Sequence, residues 1–108
     1  VNIFKKSHFI LVPSIKKSNW EELFGVVIIE GLCSGVIPIS TNHVGPREII
    51  NHKIGFLFNE NEYVSKTCET ISRINKKQIS NMSKSAYDEF KKYKQNTILN
   101  KWKKILEL

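Results

Sequence analysis

A chain of 108 residues, 41% hydrophobic and 25% charged, has the composition of one globular domain and not of a disordered polymer. Its longest apolar run, residues 24–33, contains Glu30 and is too short for the ~18–20 residues of a membrane span. The net charge of +7 is uneven: residues 1–54 carry six Lys and Arg against four Glu, and residues 55–108 carry eleven against six acids.

The chain opens Val1-Asn2-Ile3-Phe4-Lys5-Lys6, which reads as a cut inside a longer protein. Residues 8–13 form a short apolar run closed by Pro13-Ser14 and predict a buried strand. A polar loop follows. Residues 24–34 are apolar with helical length, and Gly35 stands where a helix C-cap belongs. Residues 36–40 predict a second buried strand, and 41–45 a loop. Pro46 suits the first position of a short helix, with Glu48 in its first turn. Residues 54–58 predict a third strand, and Asn59-Glu60-Asn61 a turn.

The remainder has helical period. A helix over 62–74 would place Val64, Cys68, Ile71 and Ile74 on one face. A second over 78–92 would align Met82, Ala86 and Phe90, and a third over 96–106 would align Ile98, Trp102 and Ile105. Strands alternating with helices imply an α/β fold with a parallel sheet, here part of a doubly wound one. Within a partial domain spanning 1–108, about 8–58 form the βαβ core and about 59–108 a helical tail. Cys33 and Cys68 form no CxxC pair and no histidines stand at metal-ligand spacing, so no zinc site is expected. Two apolar thiols in a reducing compartment are expected, a single disulfide being the arithmetical alternative.

The stretch Glu22-Leu23-Phe24-Gly25-Val26-Val27-Ile28-Ile29-Glu30 carries the chemistry. The first N–H groups of its helix, near Gly25 to Val27, have no partners within the helix and face the carboxyl end of the sheet, where open α/β folds bind ligands. Such a terminus favours a phosphate, and Gly25 lets a ligand approach the backbone closely. Glu30 shares a helix face with Val26 and Val27, roughly 5–6 Å further along the axis, where a carboxylate can accept bonds from a vicinal diol. Glu22 precedes the helix. The alternatives are that Glu22 only complements the helix dipole and that Glu30 only faces solvent.

These residues extend into a longer series. Val12-Pro13-Ser14, the run from Trp20 to Leu32, Ser34-Gly35, Pro38-Ile39, Gly45-Pro46-Arg47-Glu48-Ile49-Ile50 and Gly55-Phe56-Leu57 occur in that order. Together they resemble the C-terminal, donor-binding domain of the family-four, GT-B-fold retaining glycosyltransferases, which is Rossmann-like. Val44 stands where that family often has the first glycine of a pair, and the Gly35 to Pro38 spacing is one residue wider than its commonest form.

The resemblance implies a nucleotide-sugar donor, UDP- or GDP-linked, and retaining transfer to a cell-envelope glycan or lipid acceptor. Glu22 would be the catalytic-site acid, bonding the donor hexose. Phe24, Gly25 and Val26 would offer backbone contacts to sugar and diphosphate, and Glu30 would bind the ribose. The resemblance implies no metal and no cofactor, the nucleotide sugar being a substrate. It places the phosphate-neutralising cations and the N-terminal acceptor domain before Val1, and the enzyme in the cytoplasm or at the inner face of a membrane. This chain alone would then be inactive.

Two other classes remain open. One is a non-catalytic nucleotide- or phosphate-binding module. The other is a basic module for an anionic membrane or nucleic acid, since Lys91-Lys92-Tyr93-Lys94 and Lys101-Trp102-Lys103-Lys104 concentrate charge. Solvated helix faces explain these lysines better than nucleic acid does, and a peripheral membrane contact stays open.

Overall fold

A computed structural model describes residues 6–15 and 26–92. Strand β1 (Phe9–Val12), helix α1 (Val26–Cys33), strand β2 (Ile37–Thr41), helix α2 (Val44–Ile49) and strand β3 (Phe56–Phe58) alternate as the sequence predicts. A 3-10 turn (Glu60–Glu62) leads into helices α3 (Tyr63–Arg73) and α4 (Lys76–Lys92). The three strands form one parallel sheet in the order β1-β2-β3. The helix expected at 96–106, with Ile98, Trp102 and Ile105, lies outside the described residues.

All five residues of β2 are buried, as befits a central strand covered on both faces. Pro38 sits inside it without breaking the ladder. The Ile37 N–H bonds the His8 carbonyl toward β1, so the next residue, Pro38, turns its backbone toward β3. There the pairing starts only with Ile39 opposite Phe56. The missing N–H of proline therefore falls before the ladder begins.

Gly35 ends α1 with φ +69°. Its N–H bonds the Leu32 carbonyl and the Val36 N–H bonds the Gly31 carbonyl, the paired bonds of a Schellman motif. The core joins Val12, Ile28, Leu32, Ile50, Ile54 and Ala86, with Ile10, Leu57 and Phe90 packed against it. Helices α1 and α4 pack on each other and on β2, while α3 packs on β2 and β3. Leu11 of β1 stays 50% exposed.

Three local expectations change. Helix α2 begins at Val44, so Pro46 is its third residue and Glu48 lies beyond its first turn, which holds no acid. In α3 the buried residues are Tyr63 and Thr67, whereas Cys68 and Ile71 are exposed and Val64 is 74% exposed. The phase is set by Tyr63, whose hydroxyl donates to the Ile39 carbonyl at 2.5 Å and so pins one edge of α3 beneath β2. Both Cys33 and Cys68 are free and exposed, so neither fills the core. The α4 pattern is as read: Ala86 is fully buried, with Met82 and Phe90 half-buried beside it.

Candidate functional site

In a parallel sheet all strand exits lie on one edge, and that edge is where the backbone offers a ligand cleft. Here β1 leaves through Pro13-Ser14, β2 through Asn42-His43, and β3 through Asn59-Glu60. The three exits are stitched together. The Asn42 N–H donates to the Phe58 carbonyl at 2.9 Å. The Thr41 hydroxyl reaches the Val12 carbonyl at 3.4 Å. His43, only 3% exposed, places Nε2 2.9 Å from the Ser14 carbonyl oxygen and 3.8 Å from the Glu60 carboxylate.

Arg47 holds the middle exit from outside. Its Nε donates to the Asn42 side-chain oxygen at 2.9 Å and its Nη2 to the Asn42 carbonyl at 3.3 Å. Tyr63 supports the same edge from below through Ile39. Burial, above all, raises the Tyr63 pKa above its usual value of 10.0, since a phenolate loses part of its solvation there.

Helix α1 returns from this edge to the opposite one, where it ends at Gly35 beside the start of β2. The described part of α1 therefore begins, at Val26, on the side of the strand exits. Glu30 lies one turn further, about 6 Å along the axis, and is exposed. Val27, on the same side, is exposed as well. Glu30 thus stands on the exposed side of the helix, one turn after Val26.

Of the expected site residues, Val26 and Glu30 fall on α1. Glu22, Phe24 and Gly25 lie outside the described residues. Among the described residues no cluster of three His, Cys, Asp or Glu side chains is arranged to hold a metal ion. Sequence reasoning passed over His43 and Tyr63. The signal for His43 was a histidine at a strand-to-helix exit. For Tyr63 it was an aromatic residue directly after a turn rich in Asn and Glu.

No curated protein shows a significant match to this chain. The family model for glycosyl transferases, group 1, matches residues 1–97, nearly the whole sequence, and the chain belongs to that family.

Proposed function

We propose that the chain supplies the donor side of a retaining glycosyltransferase and binds a UDP- or GDP-sugar at the strand-exit edge. The observations that carry this reading are the membership of the chain in the group 1 glycosyl transferases and helix α1, whose described part begins on the side of the strand exits and carries Glu30 exposed one turn after Val26. The diphosphate sits at the N–H groups of the helix start, where the dipole favours negative charge. Glu30 accepts hydrogen bonds from the ribose diol. Phe24, Gly25 and Val26 lend backbone contacts to sugar and diphosphate.

In this reading Glu22 holds the donor hexose by its hydroxyls and positions it, and is not a nucleophile. The acceptor, a cell-envelope glycan or lipid, attacks from the face the diphosphate leaves. The departing diphosphate takes the acceptor's proton, and the anomeric configuration is kept. No metal bridge takes part. A second domain, outside residues 1–108, holds the acceptor and completes the cationic lining of the phosphate site, because transfer needs both substrates held in register.

Calorimetric titration with UDP and with GDP tests the assignment. Glu30→Gln keeps the shape of the side chain but replaces a charged acceptor with a donor. A hydrogen bond to a charged group is worth about 1.5–3 kcal/mol, so nucleotide affinity falls roughly ten- to a hundredfold while the melting curve is unchanged. Glu22→Gln in the active transferase lowers turnover more than nucleotide affinity. If Glu30→Gln binds the nucleotide as well as wild type, the ribose assignment is wrong. A Glu22→Gln variant with full turnover would show that Glu22 does not position the donor hexose, and nucleotide binding without any transfer would point instead to a binding module without catalysis.

A further inference from the structure

The strands and their exits carry little positive charge. Residues 9–15, 42–50 and 59–63 include Glu48, Glu60 and Glu62, and Arg47 is the single Lys or Arg among them. Helix α2 starts at the exit edge, directly after β2, and it touches α1. The Arg47 side chain turns back to Asn42, the first residue after β2. Its guanidinium therefore lies at the same sheet edge as the beginning of the described part of α1.

Both of its contacts go to one residue. Nε donates to the Asn42 side-chain oxygen at 2.9 Å and Nη2 to the Asn42 carbonyl at 3.3 Å. Asn42 is itself tied to the sheet, its N–H donating to the Phe58 carbonyl at 2.9 Å. A guanidinium has five N–H donors; Asn42 uses two, and the rest stay available. No carboxylate among the described residues forms an ion pair with Arg47. Glu60 faces His43 instead. The Arg47 side chain is exposed. It is a cation held in place, with donors to spare and without a neutralising acid among the described residues.

We propose that Arg47 is a donor-site cation that binds the phosphate next to the sugar. The inference rests on the donor reading above. In that reading Glu30 holds the ribose one turn along α1, and the diphosphate runs from there toward the helix start. The phosphate further from the ribose is then the one nearer the strand exits, where Arg47 is held. A planar fork of donors matches the oxygens of a phosphate. Fixing the fork before the ligand arrives removes part of the ordering cost of binding. Arg47 makes the contact, and Asn42 is its positioning residue.

The test is titration calorimetry of this chain with UDP and GDP, and with the monophosphate of whichever base binds. Arg47→Gln weakens diphosphate binding roughly tenfold or more, the loss expected for hydrogen bonding to a charged group. It leaves the monophosphate close to its wild-type affinity. Arg47→Lys keeps the charge without the fork and falls in between. Asn42→Ala frees Arg47 but retains it, so it weakens diphosphate binding by less than Arg47→Gln does and adds nothing in the double variant. Both side chains are exposed, and melting curves confirm that the variants fold. If wild type binds neither UDP nor GDP, the donor reading fails and this inference falls with it. If wild type binds and Arg47→Gln binds equally well, this inference alone is overturned, and Arg47 only ties the exit of β2. Equal losses for diphosphate and monophosphate would overturn it too, because the contact would not be to the phosphate next to the sugar.

Discussion

His43 and Ser14 are 29 positions apart in sequence, yet the imidazole Nε2 lies 2.9 Å from the Ser14 carbonyl oxygen. This contact joins the exit of β2 to the exit of β1. The ring is buried, so no water stands ready to replace it.

His43→Ala should therefore lower stability by about 1–3 kcal/mol, the cost of losing a buried hydrogen-bond partner. His43→Gln, which can still donate toward Ser14, should recover part of the loss. Urea unfolding of the three proteins measures this. If His43→Ala unfolds at the wild-type midpoint, the exits are held by the backbone alone and the histidine is incidental.

The sheet was legible because its strands are short apolar runs closed by turn residues: Pro13-Ser14 after β1, Asn59 after β3. Helix α1 was legible because Gly35 can stop a helix in a conformation other residues resist. The α3 face was not. Val64, Cys68 and Ile71 have the right spacing for a buried stripe, but the helix is only one layer deep over β2 and β3, and a single tyrosine hydrogen bond decides which side turns inward. Periodicity fixes spacing within a helix but cannot fix its rotation against a polar anchor. The place of Glu30 one turn after Val26 followed from helical geometry. The stitching of three loops by His43 did not, because it depends on residues brought together only by the sheet.

Gly35 gives a second test. A Cβ there would lie 2.6 Å from the Ser83 hydroxyl, which itself donates to the Gly35 carbonyl, and φ is +69°. Gly35→Ala should cost about 1–3 kcal/mol from backbone strain, with Ser83 displaced as well. Gly35→Asn, which tolerates this φ better, should be milder than other substitutions of its size. Denaturation midpoints decide; an alanine variant as stable as wild type would mean that the turn after α1 can relax.

Gly55 is tight for a different reason. A Cβ would come within 2.5 Å of the Pro38 carbonyl oxygen and 2.8 Å of its ring. Neither is a flexible side-chain end, so the start of β3 must shift away from β2. Gly55→Ala should destabilise by about 1–3 kcal/mol or more, as overpacking does. The companion Pro38→Ala, which removes part of the obstacle, should lessen the penalty. A double-mutant cycle by urea unfolding measures the coupling, and purely additive effects would disprove this contact as the cause.

Tyr63 makes stability depend on alkaline pH. Its hydroxyl donates to the Ile39 carbonyl, and Tyr63→Phe should cost about 0.5–1.5 kcal/mol near neutral pH. Burial raises the Tyr63 pKa above 10.0, so the folded protein keeps this proton at a pH where the unfolded chain begins to lose its own. The linkage then has a definite sign. The contribution is complete below the unfolded value of about 10, and it is lost as pH rises toward the folded value. Phenylalanine has no proton to lose. The stability curves of wild type and Tyr63→Phe should thus run apart near neutral pH and converge above about pH 10. Thermal or urea unfolding across that range gives both curves under the same conditions. Parallel curves would show that the hydroxyl titrates alike in both states, and that its bond to Ile39 does not set the position of α3.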